Sequence, residues 1–491
     1  TGPKPKLVAD IPTSYFPEGL AFHPTDGKLA VAAGENCEVT VYDVDKDKAT
    51  SLVRGAGRGL WSVGLSSNGN VLGVRTVRDA TSKNPNARGT GPWHAFDLPR
   101  MKPTKAPEEW LTPVPEADGW KVVQNADDLY VWHVQRTDNP AVQTYLTLDR
   151  RREMMPTCYT FIPAKGTAPT RLLVGHYYGA SLFENDPKLG WVRKRLFTGH
   201  AGEVSAVVAA KDGTWFATCG FDQTVASFAL TEWPSHPSLG ASFTVVDGKL
   251  YAQKVDVGSP AWELGLSGRD SIETLAVNKK LIYNVSDKYP KTGTPEDAIA
   301  ALARAEAGFE HYVGFRRQGK GDVIENLTTV RQRPLWKWFP AFDDEGKLTD
   351  WIIWMWRGSY YHTKTAHGDR LVGWHVNHPQ IDGKPEFYQL QQFEKQYHRP
   401  ELLTKLIATR DLSAVMVAAL GENPQTIPFD RYEPAPVRVS VQKTTVAGTG
   451  LKVDVNVAAR GTNPDLLPDR VELWVNDYRH KAWDTFGRAV S

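Results

Sequence analysis

Residues 199–230, GHAGEVSAVVAAKDGTWFATCGFDQTVASFAL, decide how the chain is read. An apolar run is followed by a polar turn at Asp212-Gly213, a second apolar run, a turn carrying Asp222, and a third apolar run. Aromatic and β-branched residues bounded by turn formers mark short strands, because such side chains pack well on a pleated surface. The same grammar recurs more loosely in GLAFHPTDGKLAVAAGENCEVTVYDVD (19–45) and in LWSVGLSSNGNVLGV (60–74), closing at GPWHAFDLP. It returns in GWKVVQNADDLYVWHV (119–134) and RLLVGHYYGASLFEN (171–185). A period of about 40 residues predicts an array of antiparallel sheets, since one such unit cannot bury both its faces alone.

The 491 residues exceed what one core supports, and the usual size prior gives about three domains. Lys and Arg (58) nearly balance Asp and Glu (56), so the net charge of +2 gives no electrostatic reason to expect a nucleic acid or an anionic membrane as partner. Abundant Trp and Tyr in short runs broken by Gly and Pro favour β structure. The three cysteines, Cys37, Cys158 and Cys219, lie in or near strand-like runs without CxxC spacing, which predicts buried free thiols. No run has the length of a membrane-spanning helix and no leader pattern is visible. Thr1 in place of Met indicates processing or trimming, and a cytoplasmic location is favoured over export.

The 199–230 unit resembles a WD40 repeat. Gly199-His200 stands at the Gly-His position, Asp222 at the turn aspartate, and Phe228-Ala229 where Trp-Asp usually falls. The resemblance implies a buried structural pair, His200 with Asp222, that pins a turn between strands. Val41-Tyr42-Asp43 and Ala95-Phe96-Asp97 keep the aromatic-Asp ending without a Gly-His opening. A competing reading starts from Pro17-Glu18-Gly19-Leu20, which is similar to the metal-binding glutamate context of lactonase-type propellers. Such a metal needs several oxygen ligands converging from different blades, and the aspartates here sit mainly in turns. No metal or other cofactor is therefore expected.

A different grammar occupies 238–331. SLGASFTVVDGKLYAQKVDVGSPAWELGL alternates like a hairpin about Asp247-Gly248, then offers a short helix between Pro260 and Gly265. Thr294-Pro295-Glu296-Asp297 has the cap, proline and acid of a helix start, and that helix is predicted over 295–307, stopping at Gly308. This order, with Ser238-Leu239-Gly240-Ala241 and Gly258-Ser259-Pro260-Ala261, resembles a bacterial-type PDZ domain. The resemblance implies a peptide laid beside Leu239, Gly240, Ala241, Ser242 and Phe243 and against Ala298 and Leu302 of the long helix.

Beyond the insert, strands are predicted at 335–342, 350–356 and 370–376, with PEFYQLQQF (385–393) pairing after them. Trp351, Trp354 and Trp356 cannot all face one side, so both faces should be covered. His362, His367, His375 and His378 match no zinc spacing. Tyr360-Tyr361, the run His367 to Asn377, Phe387-Tyr388 and Tyr397-His398-Arg399-Pro400 resemble the closing part of bacterial WD40 proteins fused to caspase-like peptidases, although Tyr361-His362-Thr363 departs from that family's wording. One helix is predicted over 399–421, a Pro-rich linker over 422–436, and sandwich strands of immunoglobulin type from 437 to 491. Those strands are too few for a complete sandwich, which favours a longer natural polypeptide.

The chain is thus expected to be mainly β: a WD40-like propeller of about seven blades (1–235 and 334–398). It would carry an inserted PDZ-like α+β domain (236–333) and a partial C-terminal immunoglobulin-like β-sandwich. No Gly-x-Ser-x-Gly, phosphate loop or paired His/Cys on a parallel sheet is present, so no catalytic residue is expected. The expected role is a regulatory scaffold for peptide or protein partners, with a caspase-like peptidase domain in cis or trans; a structural assembly protein is a further alternative. Metal analysis of the purified chain separates the scaffold from the lactonase reading: no stoichiometric calcium is expected, whereas one calcium per chain, lost in Glu18→Gln, reverses the assignment.

Overall fold

The computed structural model describes the chain chiefly from Pro17 to Leu420, with short breaks that include 34–37, 304–307, 365–370 and 377–385, and then four strands between Val437 and Asp484. The chain divides into two compact units, 1–368 with 399–426, and 369–398 with 427–491. The sequence reading placed 369–398 with the propeller instead. Cys37, His367, His378 and the linker 422–436 lie outside the described residues. Among those described, no helix is long and apolar enough to cross a membrane.

Four-stranded antiparallel sheets form where the repeat grammar places them. The first runs Pro17–Phe22, Lys28–Ala33, Glu38–Asp43, Lys48–Arg54, in sequence order. The second orders Lys102–Thr104, His94–Asp97, Val71–Arg75 and Ser62–Leu65, and the third runs from Glu116–Ala117 to Gln143–Tyr145. An eight-stranded sheet then extends from Pro156–Ile162 to Tyr361–Thr363. Its two longest strands, Arg171–Asp186 and Gly190–Ala209, are bent rather than broken: Tyr178 takes φ 71° and the register shifts between Tyr177 and Gly179. Gly179 is required there, because a Cβ would fall 1.9 Å from the Phe197 carbonyl oxygen.

The 199–230 unit buries both faces, which is why its strands read as continuous apolar runs. Phe197, Phe216 and Phe228 are fully buried, with Phe216 stacked on Phe228 at 5.0 Å and Phe197 edge-on to Phe216 at 4.8 Å. The chain leaves this sheet after Val225–Ala229 and returns beside it as Trp336–Phe342, with Ser227 opposite Trp336. Between the two lies the insert, a six-stranded sheet with two helices around its own core of Leu250, Ala252, Ile272, Leu275, Tyr283 and Phe315. Arg195 closes the neck: its guanidinium donates to the carbonyls of Leu230 (2.7 Å) and Ala229 (3.3 Å) and to the Gln332 side chain, and Gln332 donates to Ala229 at 3.0 Å.

Past the insert the strands are Trp336–Phe342, Leu348–Met355 and Tyr361–Thr363, the last of them not predicted, while the strand predicted at 370–376 forms as Gly373–Val376. Trp351 is buried and Trp354 half-buried on the opposite face, where Lys337 lies over its ring, so both faces are covered. The predicted helix 399–421 is two helices, Pro400–Thr409 and Leu412–Leu420. The break has a local cause: Arg410 turns left-handed (φ 54°), and Asp411 accepts from the Ala414 N–H to start the next helix. In the second unit, Gly373–Val376 pairs with Glu386–Gln389, and the chain then coils at Leu390–Phe393 instead of continuing the predicted strand. The C-terminal strands form two hairpins, Val437–Ala447 with Gly450–Ala459 and Arg470–Val475 with Tyr478–Asp484.

Phe216→Ala should lower unfolding stability by about 3–5 kcal/mol in urea titrations, because three facing rings leave a cavity that cannot collapse.

Candidate functional site

Two places carry built polar or apolar arrangements. The first is the turn at Asp222. The His200 Nδ1–H donates to Asp222 Oδ1 at 2.9 Å, and His200 Nε2 pairs with the Thr218 hydroxyl at 2.7 Å. Asp222 also accepts from the Ala201 N–H (3.0 Å), the Thr224 hydroxyl (2.8 Å) and the Lys337 ammonium (3.0 Å), while Lys337 donates to the Gly199 carbonyl at 2.8 Å. Burial pushes the Asp222 carboxyl upward, but pairing with His200 and Lys337 outweighs it and holds the group far below the usual carboxylate range. Every acceptor position is used and the side chains are buried. The arrangement is a clamp, with no open face for a substrate.

Lys337 was absent from the sequence reading, since it lies 115 positions from Asp222 across the insert. Other chemistry-bearing groups are sequestered. Burial pushes the Cys158 thiol up to about 12 and Cys219 upward as well, so neither supplies a thiolate near neutral pH. Among the described residues no three His, Cys, Asp or Glu side chains gather to hold a metal ion.

The second place is a small apolar space in the insert; of the residues predicted there Leu239, Phe243 and Leu302 line it, and Gly240, Ala241, Ser242 and Ala298 do not. Ala241–Val246 is an edge strand paired with Lys249–Val255 through a turn at Asp247-Gly248, both in the left-handed region that such hairpins demand. Thr294 and Asp297 cap each other at the start of the helix Pro295–Ala303, whose Ala298 and Leu302 are buried toward the sheet; 304–307 lie outside the described residues. Leu239, Phe243, Ile272, Leu275, Leu302 and Val313 line the cleft, which leaves room for about one water molecule. Gly240 takes φ +67°, and a Cβ there would lie 2.2 Å from that of Ser259. Ser242 sits half-buried on the edge strand.

Ser259 braces this loop from behind. Its hydroxyl donates to the Gly240 carbonyl (3.2 Å) and accepts from the Trp262 N–H (3.2 Å), capping the short helix Pro260–Glu263. That helix is fastened to the host sheet: Glu263 pairs with Arg357 at 3.0 Å and Arg333 at 3.7 Å, and the two arginines lie over Trp262 and Trp356. Sequence reasoning missed Glu263, Arg333 and Arg357, because nothing in their spacing marks them as neighbours.

Residues 191–226 match the WD domain, G-beta repeat, over the Asp222 turn just described. The chain is mainly β and carries a WD40 repeat of propeller type at that position. No curated protein matches the chain. Similar solved structures include the β-propeller domain of Cps50 (Swd1) from Myceliophteria thermophila, 10% identical, covering 68% of this chain and 96% of that one at a TM-score of 0.19. Another is a chain of the mitotic checkpoint complex, 12% identical, covering 46% of this chain and 80% of that one, also at 0.19.

Asp222→Ala should cost about 3–5 kcal/mol, because Lys337 is left buried without its counter-charge. The wild type should lose this contribution as pH falls from about 4 toward the depressed value of the folded carboxyl, since only the unfolded chain then takes up the proton readily. Acid denaturation curves of wild type and variant should therefore converge at low pH.

Proposed function

We propose that the chain is a protein-interaction scaffold whose inserted module, PDZ-like in its order of elements, takes an extended peptide by strand addition. One observation carries this reading: Ala241–Val246 forms the edge of its sheet, and the helix Pro295–Ala303 packs beside it over the module's apolar core. An edge strand presents backbone donors and acceptors that an incoming strand can satisfy, and alternate side chains of that strand would fall toward Phe243, Ala298 and Leu302. The WD40-type sheets act as host, and the Glu263 ion pairs hold the module against them. The sequence from His367 to Asn377 and the closing Tyr397-His398-Arg399-Pro400 support a finer assignment, as the sensing part of a bacterial caspase-like protease system with the peptidase in cis or trans.

An array of nine-residue peptides probed with the purified chain should return a shared C-terminal preference. Gly240→Glu, or Ala298→Lys combined with Leu302→Lys, should weaken the best binder by about tenfold or more. Binding that survives both changes at full strength excludes the cleft.

A further inference from the structure

The bend shared by the two longest strands encloses a titratable group. His176 and Ser181 flank the left-handed Tyr178, and both side chains are buried. The His176 Nδ1–H donates to the Tyr177 carbonyl at 2.7 Å, which leaves Nε2 as the acceptor facing the Ser181 hydroxyl, 3.4 Å away. One neutral ring therefore spans the bend. The ladder is weakest at this point: Tyr177 pairs with Glu203 and Gly179 with Thr198, so Tyr178 alone stands opposite residues 199–202. A bulky side chain rarely adopts the left-handed conformation that Tyr178 holds. The facing segment is fixed, because Asp222 accepts from His200 and from the Ala201 N–H. Movement is left to 176–181.

Among the described residues the charged groups facing the ring are Glu153, from the turn before Pro156–Ile162, and Arg193, from Gly190–Ala209. Glu153 is itself buried and already engaged: Arg193 Nη1 donates to both its oxygens (2.7 and 2.9 Å), and the Asp149 N–H to one (2.7 Å). On the imidazole's own strand the neighbouring titratable group is Tyr177, whose hydroxyl bonds Glu203, and Glu203 pairs with Arg88 at 2.7 Å. A second proton on His176 thus places a charge in a buried site whose nearest carboxylate is committed elsewhere. Burial holds the imidazole below its usual range and Arg193 adds to this, while Glu153 and the Tyr177 and Ala180 backbone oppose it.

We propose that His176 is an acid-operated latch: on taking up a second proton it releases the Ser181 hydroxyl, and the bend 176–181 opens to hydrate the ring while the rest of the sheet stays paired. The open bend takes the proton near the ordinary imidazole value of about 6.5, and the closed bend only at lower pH. Closure is therefore fully supported above about pH 6.5 and progressively lost as pH falls below it. Opening brings Tyr177 out beside the already exposed Tyr178 and withdraws its hydroxyl from Glu203.

Hydrogen exchange of the full chain between about pH 7.5 and about pH 5, corrected for intrinsic exchange, tests the latch. Opening at the amides of 177–182 should rise about tenfold for each pH unit below about 6.5, the response to a single proton, while those of Leu172, Leu173 and Val174 on the same strand should not follow. His176→Gln, which keeps a donor and an acceptor but takes up no proton, should abolish the slope. Ser181→Ala should raise opening at every pH and leave the slope in place. Equal protection of 177–182 at both ends of the pH range, a rise shared by 172–174, or a slope that persists in His176→Gln overturns the proposal. Where the glutamine variant does not fold, the His176 ring resonances of the wild type decide: a neutral ring in the protected state is expected, and an imidazolium inside the closed bend overturns the latch.

Discussion

Asp222 joins parts of the sequence that would otherwise have no reason to meet. Its carboxylate takes hydrogen bonds from the turn before it, from its own turn at Thr224, and from Lys337 beyond the insert. An unpaired charge at such depth would cost several kcal/mol, so the folded state that satisfies Asp222 is the one in which the re-entering strand lies beside Val225–Ala229. That requirement fixes where the chain resumes the host sheet after an excursion of about a hundred residues. With the return fixed, Arg195 and Gln332 can bridge the neck, and the aromatic cluster of Phe197, Phe216 and Phe228 has its cover.

How far the sequence could be read follows from the range of each interaction. The turn aspartate, the Asp247-Gly248 hairpin and the Thr294–Asp297 cap are local, and each was visible because a few adjacent residues carry the whole physical reason. The order of elements in the insert was legible through a resemblance, and the structure packs Leu239, Ala298 and Leu302 into one core with Phe243 against it. Lys337, Glu263 and His176 were not legible, because their partners are either far along the chain or backbone groups that no side-chain pattern announces. The helix break at Arg410 escaped for another reason: a left-handed turn on arginine has no glycine to advertise it, and the apolar spacing runs through both helices undisturbed.

The module is braced against its host. Leu412, at the start of the last helix of the first unit, presses on Gly258, where a Cβ would come within 2.5 Å of it, and Glu263 is held by two arginines from the strand region beyond the insert. Ser259, between those two contacts, supports the loop at Gly240. The loop at Gly240 is therefore preorganised partly by residues outside the module.

The neck has a mechanical consequence. Val225–Ala229 and Trp336–Phe342 run antiparallel, and the module hangs from the same end of both. Tension on the module would load that pair as a zipper, opening one rung at a time from the Ser227–Trp336 end, whereas a parallel shear would strain all rungs together. The guanidinium of Arg195 sits at the mouth of this zipper, grasping Ala229, Leu230 and Gln332 at once, and so acts as a rivet where peeling would begin.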